Sequence, residues 1–198
     1  MPGVAIVIPA AGASARMGGC DKLLERVAGL PLLRRQADAA LATGAPVLVT
    51  LPPDRPARRA ALAELEPALE WREVPNAAEG MAASLRVGAD WAAGRDAAGL
   101  MILPADMPDL TRADLAHCIA AFDDTRILRA TAADGRPGHP VIFPRACLPA
   151  LARLSGDCGA RDLLKGADIA LLTLPGTHAL TDLDTPADWA AWRARHGS

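Results

Sequence analysis

In the stretch AAGASARMGGCDK, residues 10–22, Arg16 and Lys22 stand among residues with almost no side chain. Such residues leave backbone N–H groups open just after an apolar run, and the two cations add fixed positive charge, which together outline an anion site. A glycine-rich strand-to-helix turn with two solvated cations is the other reading of the same residues. Neither standard phosphate cradle is present. Lys22 is followed by Leu23 rather than Ser or Thr, and Gly12 is followed by Ala13 and Ser14 rather than by the glycine spacing of G-x-G-x-x-G. Carboxylates stand far away in the chain: Asp106 follows the run GLMILP, and Asp182, Asp184 and Asp188 crowd the stretch LTDLDTPADW. Each alone also reads as turn or capping chemistry. In combination they supply what a magnesium-dependent phosphoryl or nucleotidyl transfer site requires: hard oxygen ligands for the metal, and N–H and cationic donors for phosphate oxygens.

Residues so far apart meet only if a fold gathers strand ends. The apolar runs VAIVIP (4–9), PVLVTL (46–51), GLMILP (99–104) and IALLTL (169–174) are bounded by Gly or Pro and read as strands buried on both faces of a parallel sheet. Helical patterns lie between them, over 31–44, 79–94, 111–122 and 185–196, with Thr111 and Thr185 as N-caps and Pro186 in the first turn. This alternation predicts an α/β layered fold, in which ligands collect beyond the carboxyl ends of the strands. Trp189 and Trp192, three apart, read as core anchors of the last helix.

The 198 residues suit a single domain, 1–198, and 51% of them are hydrophobic. Lysine plus arginine (21) nearly balance aspartate plus glutamate (23), which argues against a nucleic-acid groove or a membrane-surface patch. No apolar run approaches the roughly 20 residues of a membrane span, and no signal-peptide pattern precedes the first run, so a cytoplasmic location is expected. Cys20, Cys118, Cys147 and Cys158 form no C-x-x-C pair, which argues against structural zinc and a disulfide framework. Cys20 reads as a small space-filling residue, and Arg129 and Arg136 as solvated surface charge.

The loop AAGASARMGGCDK resembles the signature of the MobA-like nucleotidyltransferases at Ala11, Gly12, Ser14, Arg16, Met17, Gly18 and Lys22. The resemblance continues through NAAEGMAASLRVG (76–88), LPADMP (103–108) and DLDTPADW (182–189). GRPGHPVIF (135–143) and GDCGARDLL (156–164) are similar to the branch that makes the cytidine dinucleotide form of the molybdenum cofactor. The three residues between Gly18 and Lys22 are more like the guanylyl branch, whereas the start AAG is more like the cytidylyl one.

The resemblance implies a three-layer Rossmann-like nucleotidyltransferase fold with a mostly parallel central sheet. It implies attack by an acceptor phosphate on the α-phosphorus of a nucleoside triphosphate, with magnesium held by Asp106 and Asp184, Asp182 being the rival second ligand. Ala10, Ala11, Gly12 and Ser14 would meet base and phosphates, Arg16 the leaving pyrophosphate and Lys22 the α-phosphate. Gly80 and Ser84 would lie against base and ribose, and His139, Asp157 and Arg161 on the side of a molybdopterin-type acceptor. A client molybdoenzyme or its chaperone is the implied macromolecular partner. Three other functions fit the sequence: guanylyl transfer to the same cofactor, transfer to a sugar or alditol phosphate, and a non-catalytic nucleotide-binding or cofactor-carrier module.

Overall fold

The computed structural model describes residues 3–156 and 160–197. In chain order its elements are β1 (Val4–Pro9), β2 (Arg26–Val27), β3 (Leu30–Pro31), α1 (Leu32–Leu41), β4 (Val47–Leu51), α2 (Pro56–Ala60), β5 (Glu70–Glu73), α3 (Met81–Ala93), β6 (Gly99–Ile102), α4 (Arg112–Ala121), β7 (Ile127–Thr131), β8 (Pro137–Pro144), α5 (Leu148–Leu151), α6 (Arg161–Leu164), β9 (Ile169–Thr173) and α7 (Pro186–His196). Seven strands form one sheet in the order β5-β4-β1-β6-β8-β7-β9, while β2 and β3 make a separate ribbon. Within the seven-stranded sheet pairing is parallel except that β8 runs against both β6 and β7, and the β2–β3 ribbon is antiparallel. The expected α/β architecture with a mostly parallel sheet is therefore present.

Strand β1 shows why its sequence is continuously apolar. Ile6 and Ile8 pack with Leu33 and Ala37 of α1 and Leu115 of α4 on one face. Ala5 and Val7 pack with Leu85 and Ala89 of α3 and Leu148 of α5 on the other. A strand covered on both sides has no use for polar alternation. Thr111 and Thr185 each complete a capping box, with Asp114 and Asp188 respectively. Trp189 and Trp192 are buried with Met17, Val27, Leu32 and Leu183, so α7 anchors against the loop that follows β1.

The expectation of four equally buried strands needs correction at the last one. IALLT forms β9 as predicted, but it lies at the sheet edge and Leu171 is 62% exposed. Strands β5, β7 and β8 were not expected from the apolar pattern. EWRE is charged because β5 is the opposite edge strand, and β8 carries proline at three positions, which masks a strand in sequence. Among the described residues, no helix is long and apolar enough to cross a membrane.

Candidate active site

The site is built at the carboxyl ends of β1 and β6. Hydrogen bonds from Ala10 N to Thr50 O and from Leu103 N to Val7 O carry the pairing slightly past the strand ends. Beyond that point the loop after β1 turns through Ser14 in a left-handed conformation, a 3-10 turn over Ala15–Met17, and then Gly18 and Gly19 at φ of 62° and 99°. Side chains rarely adopt this backbone, so the two adjacent glycines allow the chain to turn back and deliver Lys22. The N–H groups of Ala11, Gly12, Ala13 and Ser14 donate to no protein acceptor among the described residues.

The C-terminal acidic stretch reaches the same place through its backbone. Leu183 N donates to Asp106 O at 3.0 Å, which fixes Asp184 next to the end of β6. Asp188 is occupied in capping: its Oδ2 accepts from Asp184 N, Thr185 N and Thr185 Oγ1. Asp184 itself points elsewhere. The Lys22 ammonium lies 2.6 Å from Asp106 Oδ2 and 2.6 Å from Asp184 Oδ1, and Arg16 Nη2 lies 2.7 Å from Asp184 Oδ2. Burial disfavours the charged lysine, but the two carboxylates outweigh it and raise its pKa. Asp182 does not share this ammonium. Burial, with Asp184 and Asp106 close by, pushes its carboxyl up instead.

A cavity of about 170 Å³ opens beside Lys22 and Asp106, walled also by Gly12, Gly80, Met81 and Ser84. The structure thus brings Gly12, Lys22, Gly80, Ser84 and Asp106 around one space, while Asp184 is joined to it through its ion pair to Lys22, Arg16 through its ion pair to Asp184, and neither lines it. Ala10 and Ala11 are buried, and both backbone groups of Ala10 are engaged, so the open backbone begins at Ala11. Ser14 is not turned to the cavity: its hydroxyl donates to Asp21 at 3.3 Å and accepts from Arg58. Cys20, expected to fill space, is exposed.

A second, larger cavity of about 800 Å³ shares Met81 with the first and is lined by Arg129, His139, Arg161 and Lys165 over an apolar floor of Leu85, Val141 and Phe143. His139 and Arg161 are therefore together, as expected, while Asp157 and Cys158 lie outside the described residues. Arg129 is not loose surface charge: its Nε donates to Gly138 O at 3.1 Å and it faces this cavity. Burial and the Arg129 charge, opposed by Asp106, push the His139 pKa down to about 4, and its buried Nδ1 has no partner among the described residues. His139 N donates to Ala179 O at 2.8 Å. A Cβ at Gly138 would lie 1.9 Å from the same oxygen, so glycine is required where β8 meets the segment leading to Asp184.

One further residue escaped sequence reading. Arg58, in the arginine-rich helix α2, is fully buried beneath the loop and bonded to it. Nothing in RPARRA separates it from its solvated neighbours; only the requirement that a buried guanidinium be fully paired would have drawn attention to Asp21 as its partner.

Comparison with known proteins agrees with this geometry. The chain is 31% identical over 117 residues to the purine catabolism protein PucB of Bacillus subtilis, a match spanning 58% of this chain and about half, 56%, of that one. It is 30% identical to a probable molybdenum cofactor guanylyltransferase of Rhodopirellula baltica, over 92% of this chain and 88% of that protein. Among solved structures, Rv0371c of Mycobacterium tuberculosis superimposes with a TM-score of 0.81 at 31% identity, covering 96% and 97% of the two chains, and a manganese complex of the same protein gives 0.77 at 30%. The MobA-like NTP transferase domain matches residues 6–173, and the chain belongs to that family.

Proposed function

We propose that this protein transfers a nucleoside monophosphate, CMP from CTP, onto the terminal phosphate of a molybdopterin-type cofactor and releases pyrophosphate. The observation that carries the transfer reading is the convergence of Asp106 and Asp184 on one cation, Lys22, beside a loop of unpaired amides. Two carboxylates from separate segments that reach a common cation are the donor set that suits magnesium, which takes one or two carboxylates and completes its shell with water and substrate phosphates. When bound, the metal offsets charge on the nucleotide phosphates and helps orient them.

The remaining work falls to the chain. The amides from Ala11 to Ser14 hold phosphate oxygens, Lys22 turns from the carboxylates to the α-phosphate, and Arg16, largely exposed, meets the departing pyrophosphate. Gly80 and Ser84 hold the base and ribose in the smaller cavity. An acceptor phosphate oxygen bonds to the α-phosphorus as the bond from that phosphorus to the bridging α–β oxygen breaks, and pyrophosphate leaves with the bridging oxygen. A phosphate monoester has its second pKa at about 6 and is mostly ionised at pH 7, so the nucleophile needs no general base. The larger cavity, with Arg129, His139 and Arg161, is the acceptor side, and the product passes to a client molybdoenzyme or its chaperone.

The blocks GRPGHPVIF and GDCGARDLL support the cytidylyl reading. A second reading, guanylyl transfer to the same acceptor, is favoured by the Gly18 to Lys22 spacing and by the named Rhodopirellula baltica relative. Pyrophosphate release, measured with molybdopterin-type acceptor, magnesium and each of CTP, GTP, UTP and ATP in turn, separates them. Preference for CTP is expected; preference for GTP transfers the assignment to the second reading, and no release with any donor overturns both.

A further inference from the structure

We propose that Arg58 is a positioning residue that sets the loop after β1 for its phosphate ligand. The proposal rests on the reading of that loop as the nucleotide site. All five donors of the guanidinium are placed. Nε and Nη2 grip the two oxygens of Asp21 at 2.7 and 2.8 Å, Nη1 donates to the carbonyls of Ala10 and Gly12 at 2.6 and 2.7 Å, and Nη2 also donates to Ser14 Oγ at 3.0 Å. The side chain is 0% exposed. Burial tends to raise the Asp21 carboxyl, but the Arg58 bonds and charge hold it below its ordinary value, so the pair is ionic.

The geometry has a consequence on the opposite side of the loop. In a planar trans peptide the C=O and the following N–H point in opposite directions. With the carbonyls of Ala10 and Gly12 drawn to Arg58, the N–H groups of Ala11 and Ala13 are turned away from it. Arg55, from the same segment, donates to Ala13 O at 3.1 Å and by the same logic turns the Ser14 amide. The three amides so directed are among those that donate to no protein acceptor. Arg58 thus acts through the backbone, and Ser14 is kept in its left-handed conformation by the same contact.

Lysine cannot replace it, because an ammonium carries three donors and no planar fork with which to hold a carboxylate and two carbonyls together. The test uses the full chain and two variants, Arg58→Lys and the milder Arg55→Met, with inorganic tripolyphosphate and CTP as calorimetric probes. Manganese binding without nucleotide serves as the control for Asp106 and Asp184. Arg58→Lys is expected to weaken tripolyphosphate and CTP by the same factor, about tenfold or more, the equivalent of one lost charge-assisted hydrogen bond. Manganese affinity should stay unchanged, and hydrogen exchange should quicken in the loop and not in β1. Arg55→Met should show a smaller loss of the same kind. Wild-type affinity for tripolyphosphate in both variants overturns the proposal, as does a parallel loss of manganese binding, which marks a structural role only. If the wild-type chain itself binds neither tripolyphosphate nor any nucleotide, the nucleotide reading of the loop fails and the role of Arg58 fails with it.

Discussion

Replacing Lys22 by methionine should make the protein bind a divalent metal more tightly while making it a poorer enzyme. The Lys22 ammonium stands 2.6 Å from both Asp106 and Asp184, and the three side chains are 16%, 21% and 20% exposed. At an effective dielectric near 20, a unit-charge pair at about 4 Å attracts by about 4 kcal/mol gross. Solvent and desolvation reduce the net value of such a partly exposed pair to about 1 kcal/mol or less. An incoming dication must displace two such pairs, a cost of about 1–2 kcal/mol that methionine removes. Manganese, titrated by electron paramagnetic resonance in the absence of nucleotide and at low ionic strength, should therefore bind about tenfold more tightly to Lys22→Met. Pyrophosphate release should fall by about a hundredfold or more, because the cation proposed to face the α-phosphate has gone. Unchanged or weaker manganese binding in a folded Lys22→Met protein would refute the reasoning, since it would mean that lysine and metal do not compete for the same oxygens.

Other outcomes follow from the same geometry. Asp106→Asn and Asp184→Asn should each abolish manganese binding and lower pyrophosphate release by about a hundredfold or more with little change in Tm, whereas Asp182→Asn, outside the Lys22 pair, should keep most of both. His139 is neutral in the native state down to about pH 4 but takes a proton near pH 6.5 when unfolded, so the unfolded chain binds more protons between these values. Stability should then be full above pH 6.5 and fall as the pH drops toward 4, by up to about 3 kcal/mol, and His139→Gln should flatten that part of the denaturation profile relative to wild type. Gly138→Ala should lower stability by about 3 kcal/mol by chemical denaturation and weaken manganese binding as well, because β8 and the segment carrying Asp184 cannot both keep their places.

How much of this was legible in the chain depended on the signal each residue carries. The apolar run of β1 and the pattern Thr185, Pro186, Asp188 announce a buried strand and a capped helix because local chemistry alone decides them. Lys22, Asp106 and Asp184 were legible as candidates by residue type and position after strands. Their convergence was expected from the combination and the family resemblance, while the means, the Leu183 to Asp106 backbone bond across the fold, left no mark in the sequence. Strand β8 was hidden by its prolines, and the exposure of Leu171 by the fact that an edge strand and a central strand can share the same apolar spelling. Arg129 was read as solvated charge and Arg58 was passed over, because burial is a property of the folded neighbourhood and leaves no mark on a single charged letter.

The anchoring of α7 against Met17 also bears on how the protein emerges during synthesis. The loop after β1 is made well before Asp184, which follows Lys22 by 162 residues, and before the tryptophans that pack behind Met17. A nascent chain can pair β1 with β4 and then β6 while Lys22 still lacks Asp184 and Met17 is uncovered. A chain released before residue 184 therefore carries the glycine-rich loop with only one of the two carboxylates that meet Lys22. On the proposed function, only the arrival of Asp184 and α7 completes the candidate site, so an interrupted chain keeps the loop's amides and cations without the full carboxylate pair.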